Sequence, residues 1–155
     1  MDMIHNGGKT MKQKLCWIFL ILLPLLVLAA CGENRPETEA APEPGIEYGD
    51  STIYSQEDMD AAIARIRAEF DTWEGCELHS IRYMGDENNN DENIQWMNEL
   101  NEEKNYTQCI AFESDFHSPK NGGGAWTADA EYTNWQWWLA RSDGSDWDLL
   151  TWGYG

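Results

Sequence analysis

Residues 55–73 read SQEDMDAAIARIRAEFDTW, and this stretch decides the fold class. Ser55 is a preferred N-cap residue, and Asp58 three positions later is a weaker form of the capping box. Gly75 suits the C-terminal cap. Between these ends the apolar residues recur at the spacing of an amphipathic helix. They are Met59, Ala62, Ile63, Ile66, Phe70 and Trp73. We therefore predict a helix over residues 56–73.

The sequence after Gly75 changes to patterns that are typical of strands. Strands are predicted over residues 76–84, 106–116, 132–141 and 147–154. A slip in the alternation of the first strand indicates a β-bulge near His79 and Ser80. A short helix is predicted over residues 94–103, with Ile94, Met97 and Leu100 facing inward. Because a helix and a sheet bury their apolar faces against each other, we predict an α+β fold. The N-terminal helix would pack on a curved four-stranded antiparallel sheet, as in cystatin-like and NTF2-like folds.

The start of the chain has the three parts of a secretory signal peptide. Lys12 and Lys14 precede the uncharged stretch LCWIFLILLPLLV at residues 15–27, and small residues follow it. The apolar span through residue 30 is shorter than the roughly 20 residues that cross a bilayer. Residues 1–30 are therefore predicted to be a leader, and Met11 would give a tidier start.

The C-terminal end of this leader and the residue after it read Leu28-Ala29-Ala30-Cys31, followed by a glycine. It resembles the lipobox of bacterial lipoproteins. The resemblance implies cleavage before Cys31, a diacylglyceryl group on the Cys31 sulfur, and a location on the outer face of the cytoplasmic membrane. The lipid bilayer would then be a partner. The alternatives are a cleaved secretory peptide with an incidental cysteine and an uncleaved anchor.

The next segment, residues 31–50, is rich in proline and glutamate and holds few large apolar side chains. Such a composition cannot offset the entropy of ordering, so we predict an extended tether before a domain over residues 51–155. The whole chain carries 28 acidic and 10 basic residues, a formal charge of −18. This charge excludes nucleic-acid binding, which requires basic groups against phosphates.

Two aromatic runs in the domain carry a resemblance to a known family. They are Asn134-Trp135-Gln136-Trp137 and Thr151-Trp152-Gly153-Tyr154. Together with the GCELHSIRY stretch after the helix, they resemble a family of small uncharacterised lipoproteins from Gram-positive bacteria, over residues 52–155. The resemblance agrees with the fold and the location and implies no activity.

Cys76 and Cys109 remain once Cys16 leaves with the leader and Cys31 is lipidated. Outside the cytoplasm they favour a disulfide over two buried thiols. A zinc site from Cys76, His79, Cys109 and His117 fits poorly, since residues three apart on a regular strand point to opposite faces. Residues 86–91 begin like an EF-hand loop but lack its glycine and its final glutamate. We predict no metal and no cofactor.

Asp115 and His117 are weak catalytic candidates, because residues two apart on a strand share a face. Glu113 and His79 are the nearby titratable groups. No activated nucleophile accompanies them, so the sequence does not predict an enzyme.

Tryptophan is unusually frequent, with nine residues in the chain. Alternation explains Trp135 and Trp137 as core, but it leaves Trp126 and Trp138 without an obvious burial site. Exposed rings near Asn134 and Gln136 would suit a sugar, a peptide or a cation. We therefore predict a membrane-anchored binding or interaction module for an envelope glycan, peptide or protein. The alternatives are an envelope enzyme that uses Asp115 and His117, and a structural envelope component.

Overall fold

The predicted first helix forms, and its N-terminal cap is complete. In the computed structural model, which describes residues 42–154, α1 spans Gln56–Phe70. The Ser55 side chain accepts a hydrogen bond from the Asp58 N–H, and the Asp58 carboxylate accepts one from the Ser55 N–H. These bonds satisfy backbone donors that an uncapped helix would leave unpaired. The helix ends three residues before the predicted position, with Asp71 as its C-cap.

The other elements follow in a helix–strand order close to the predicted one. They are β1 (Gly45–Glu47), β2 (Glu77–Tyr83), α2 (Asp91–Leu100), β3 (Gln108–His117), β4 (Glu131–Arg141) and β5 (Asp148–Gly153), with a 3₁₀ turn at Asp86–Asn88. The protein is thus an α+β protein with two helices and one sheet. Within residues 42–154, no helix is both long and apolar enough to cross a membrane.

The sheet has five strands and is mixed, which corrects the prediction of four antiparallel strands. Its order is β1-β2-β3-β4-β5. The strands β2 to β5 pair antiparallel, whereas β1 pairs parallel to β2 with Ile46 opposite Ile81. Ile46 and Tyr48 pack against the core, and the Tyr48 hydroxyl donates to Asp60 Oδ1 at 2.6 Å. These contacts and the pairing with β2 hold β1 at the edge of the sheet.

The position of β1 also moves the boundary between tether and domain. It lies within residues 31–50, which the sequence predicts as an extended tether. The folded part therefore begins before Ser51. The rest of the predicted tether, residues 31–41, lies outside the described residues, as do the predicted leader and Cys31.

The register of the sheet shifts at three places, one of which lies between β4 and β5 at Trp138 and Leu139. The register between β2 and β3 shifts between Leu78 and Ser80, which confirms the bulge predicted at this position. A second shift, between Ser114 and Phe116 of β3, comes opposite Asn134 of β4. Asn134 has φ 56°, a left-handed conformation that only a few per cent of residues other than glycine adopt.

The sheet buries different side chains on its two faces. The first face packs against α1 through a core that includes Ile66, Ile81, Phe112, Trp137 and Leu139. The second face packs against α2 over part of its area, through Met97, Tyr106, Cys109 and Ala140. Trp137 is fully buried, as predicted. Each helix thus covers one face, and the sheet is the middle layer.

The second helix begins three residues earlier than predicted because Asn90 caps it. The Asn90 side chain accepts a hydrogen bond from the Asn93 N–H. With this start, Met97 is buried and Ile94 packs partly against the second core, as predicted. Leu100, predicted to face inward, is exposed at the end of the helix.

The predicted disulfide does not form. Cys76 and Cys109 are free thiols in the structure. Cys76 directly precedes Glu77, which pairs with His117, while Cys109 lies eight residues away at the other end of β3. At about 3.3 Å per residue this separation is roughly 25 Å, whereas a disulfide needs Cα atoms within about 7 Å.

We expect a reducing agent to leave the unfolding midpoint unchanged, because no cross-link is available to break. In the native protein Cys109 should resist alkylation, since burial raises the pKa of its thiol to about 12. In urea without reductant, both Cys76 and Cys109 should be alkylated, as mapped by peptide mass. A reductant-dependent loss of about 3–4 kcal/mol would indicate a disulfide after all.

Candidate functional site

The part of the second sheet face that α2 leaves open carries a polar cluster. Arg82 of β2 reaches Asp115 of β3 with two hydrogen bonds, from Nη1 to Oδ2 at 2.6 Å and from Nη2 to Oδ1 at 3.3 Å. Glu113 Oε2 lies 3.6 Å from the same guanidinium. The side chains of all three residues are about one-quarter exposed. This cluster is an ion-pair network in the sheet surface.

The β4 bulge completes the cluster. The left-handed backbone at Asn134 points its N–H toward Asp115 Oδ1, at 3.0 Å, and its side-chain oxygen accepts from Arg82 Nη2 at 3.0 Å. Ser80 also donates to Asp115. The hydrogen bonds from Arg82 hold the pKa of Asp115 below its usual range, and those from Asn134 and Ser80 add to the effect. Asp115 is therefore a stable carboxylate acceptor rather than a proton carrier.

His117 has different partners from Asp115. Its Nδ1 is 3.0 Å from Glu131 Oε2 and its Nε2 is 3.2 Å from Asp129 Oδ1. The other oxygen of Glu131 lies 2.9 Å from His79 Nδ1. The hydrogen bond to Glu131, followed by that to Asp129, raises the pKa of His117. The two weak catalytic candidates are thus each held by a separate set of residues, and both ring nitrogens of His117 have partners.

The structure does not assemble the zinc ligands that the sequence analysis considered. His79 and His117 lie close, with ring centroids 6.4 Å apart. Cys109, however, is at the far end of β3, in the core under α2. Within the part of the chain that the structure describes, no group of three or more histidine, cysteine or carboxylate side chains is arranged to hold a metal ion.

The stretch at residues 86–91 has a structural role instead of the geometry of a calcium loop. Asp86 accepts hydrogen bonds from the side chains of Ser51, Thr52 and Tyr83. The bond from Ser51 is the main cause of the lowered pKa of Asp86. Its carboxylate therefore connects the segment before α1 to the end of β2.

The predicted ligand-contact set is divided between the two faces of the sheet. Trp138, Gln136 and Asn134 lie on the second face, where Trp138 Nε1 donates to Gln136 Oε1 at 3.1 Å. Trp138 is half-buried and packs edge-to-face on Trp96 of α2, with centroids 5.2 Å apart. Trp126 packs against the core on the first face. The set therefore does not form one site.

A second group of aromatic rings lies on the first face, beyond the end of α1. A helix of 15 residues is about 22 Å long, whereas the 11 residues of β4 span about 36 Å. The uncovered end of the face is filled by rings that we call the aromatic end. It consists of Trp73, Trp126, Tyr132, Trp135, Trp152 and Tyr154.

The inner rings of the aromatic end are closely packed. Trp73 stacks on buried Trp137 at 5.1 Å and contacts Trp126 at 4.9 Å. Trp126 in turn packs on Tyr132 and Trp135. Trp126, for which the sequence suggests no burial site, is therefore half-buried. The loop after Ser118 returns its ring to the sheet.

The outer rings of the aromatic end face solvent. Trp152 is 40% exposed and Tyr154 is 63% exposed. Tyr154 stacks on Tyr132 at an interplanar angle of 20°, and Trp152 lies over Trp137 at 30°. The interior of the protein thus supports both exposed rings from behind. Such a supported, open aromatic surface is suited to hold a ligand by ring contact.

The sequence analysis missed Trp152 and Tyr154 as contact residues. Their spacing of two on the last predicted strand was the available signal, because it places both rings on one face. They lie on the same face as Trp135 and Trp137, which alternation assigns to the core, and only the short reach of α1 leaves Trp152 and Tyr154 open.

Comparisons of the chain with protein-family models, with curated proteins and with solved structures find no match.

Proposed function

We propose that the protein is a lipid-anchored extracytoplasmic binding module whose ligand contacts the aromatic end. The observation that carries this proposal is the exposure of Trp152, on β5, and of Tyr154, just after the end of that strand, on the same face of the sheet. Large rings in a small domain are normally needed for its core, so two that remain in water on a rigid support indicate a ligand surface.

The charge of the chain narrows the class of ligand. At a formal charge of −18, the protein repels nucleic acids and other polyanions. The remaining candidates are neutral glycans, peptides and cationic groups. Ring stacking contributes to the binding of all three classes.

The proposed binding surface can be tested by acrylamide quenching of the intrinsic fluorescence of the full chain. We expect one class among neutral oligosaccharides, cationic peptides and Ca²⁺ to protect tryptophan from quenching. Trp152→Ala should abolish the protection. Trp96→Ala is the matched control, because Trp96 is 37% exposed on the opposite side of the sheet and should not affect the protection. Protection that is lost in Trp96→Ala and kept in Trp152→Ala would instead place the ligand on the second face.

The proposed anchor is supported by the leader at residues 1–30 and by the lipobox ending at Cys31. Burial of lipid chains contributes about 0.8 kcal/mol per methylene and overcomes the repulsion between an acidic chain and anionic lipid.

Cys31→Ser should therefore abolish labelling with a fatty-acid analogue. The variant should either leave the membrane fraction or keep its leader uncleaved. Cys16→Ser is the matched control, since it changes a cysteine inside the leader and should leave labelling intact. Unchanged labelling in Cys31→Ser would disprove the anchor.

We also propose a likeness to cystatin-like or NTF2-like folds, in which a long N-terminal helix packs on a curved antiparallel sheet. The consecutive antiparallel order of β2 to β5 and the three register shifts support this proposal. The parallel strand β1 is an addition to that arrangement.

A further inference from the structure

A cleft lies beside the aromatic end, between α1 and the edge strand β5. Its volume is about 410 Å³, within the usual range of small-molecule sites. The helix contributes Arg65, Ala68 and Glu69, and the strand contributes Asp148, Leu149 and Trp152. The exposed ring of Trp152 is therefore both a part of the aromatic end and one wall of this cleft.

The polar groups of the cleft have both signs and lie close together. Arg65 and Glu69 are four residues apart on α1, so they are neighbours on one side of the helix. Within residues 42–154, the one ion-pair partner of Arg65 is Asp146, at 3.7 Å, and the Asp146 side chain is almost fully exposed. Glu69 Oε1 accepts a 3.3 Å hydrogen bond from Trp73 Nε1, which holds the carboxylate against the aromatic end. The cleft thus places the N–H donors of the Arg65 guanidinium beside the oriented carboxylate of Glu69, which is an acceptor.

This combination selects among the ligand classes that the aromatic end admits. The charge of the whole chain disfavours an anion. The cleft itself does not favour a cation, because Arg65 balances Glu69 and the third charged group, Asp148, is already paired with Lys104. A neutral pyranose has hydroxyls that both donate to a carboxylate and accept from a guanidinium. Its C–H groups also form an apolar face that packs against the electron-rich face of an indole.

We propose that this cleft binds one sugar unit of a neutral glycan, with the pyranose stacked on Trp152 and its hydroxyls bound by Arg65 and Glu69. The inference rests on the proposed binding function and names its ligand class. Tyr154, two residues further along the chain, would contact the next unit of the same glycan.

The test uses the full chain in a non-glycosidic detergent and isothermal titration calorimetry. The probes are tetramers of β-1,4-linked N-acetylglucosamine, β-1,4-linked glucose and α-1,4-linked glucose, and tetralysine. We expect at least one tetrasaccharide to bind, and Arg65→Met, Glu69→Gln and Trp152→Ala each to weaken binding at least tenfold. Arg67→Met is the matched control. It removes the same charge from the other side of α1, where Arg67 pairs with Glu43, and should leave the affinity unchanged.

The possible outcomes distinguish failure of the glycan cleft from failure of the proposed binding function. Tetrasaccharide binding that survives Arg65→Met and Glu69→Gln but not Trp152→Ala would overturn the cleft assignment and leave the aromatic end as the binding surface. Binding of tetralysine alone at Trp152 would overturn the glycan assignment in the same way. If acrylamide quenching without any probe falls as protein concentration rises, and this fall is lost in Trp152→Ala, a second copy of the chain covers the cleft and the glycan assignment is overturned. If no probe gives a heat of binding that Trp152→Ala weakens, both proposals are overturned.

Discussion

Trp137→Ala should lower the free energy of unfolding by about 3–5 kcal/mol, the usual cost of truncating a fully buried aromatic side chain. Trp137 is fully buried, and its indole lies between the core under α1 and the rings of Trp73 and Trp152. Its Nε1 also donates to the buried hydroxyl of Ser114 at 2.8 Å. Truncation therefore removes the support of the aromatic end and leaves a buried hydroxyl without its donor.

Urea unfolding followed by circular dichroism measures this loss. Trp96→Ala is the control for removing one tryptophan, and it should cost about 1 kcal/mol or less because Trp96 is partly exposed. A loss in Trp137→Ala no larger than that in Trp96→Ala would contradict the packing described here. Acrylamide should also reach the remaining tryptophans more easily in Trp137→Ala, since Trp73 and Trp152 lose the ring that they stack on.

Arg82→Met should lower the free energy of unfolding at neutral pH by about 1–3 kcal/mol. The substitution keeps the length of the side chain but removes the donors that bind Asp115 and Asn134. Asp115 and Glu113 would then lie side by side on β3, three-quarters buried and without their cation. Arg67→Met is the control, because its ion pair with Glu43 is exposed and should contribute under about 1 kcal/mol.

The pH dependence of Arg82→Met gives a second readout. Because Arg82 lowers the pKa of folded Asp115, the ion pair stabilises the native protein above the unfolded pKa of about 3.9. That stabilisation disappears as the pH falls through the folded pKa. The stabilities of the wild type and of Arg82→Met should therefore converge between about pH 5 and pH 2. A difference that stays constant down to pH 2 would mean that Arg82 acts through packing alone.

Local patterns account for the parts of the fold that were predictable. The cap at Ser55, the helical spacing after it and the alternation along β3 and β4 each lie within one continuous segment. The bulge at His79 was visible for the same reason, since it breaks the alternation of a single strand. Local sequence thus indicates which face of each of these elements is turned toward the core.

The parts that were missed depend on relations between distant segments. The strand β1 has three residues, and only its pairing with β2 makes it a strand. The left-handed conformation of Asn134 is required by Asp115, which lies 19 residues before it. No pattern within either segment reports such a requirement.

The candidate site was missed for a geometric reason. Alternation correctly placed Trp137 in the core, and the same alternation extends to Trp135, Trp152 and Tyr154. Whether such a ring is covered depends on where α1 ends relative to β4. The position where α1 ends along β4 is known only from the packed structure, because the sequence of neither element contains it.

The strand order places the start of the described chain and the proposed ligand site at opposite margins of the molecule. The chain joins the sheet at β1, while Trp152 lies on β5, four interstrand spacings or about 19 Å away. Under a pull between the proposed anchor and a ligand held at Trp152, β1 is the first paired strand that bears the load. The three-residue ladder of β1 is the shortest, so it should part first. Its release would free residues 42–50, about 30 Å of chain, and would stop where Ser51 and Thr52 bind Asp86 and where Tyr54 is buried in the core. Under tension, the segment before the folded core would therefore lengthen before the aromatic end is deformed.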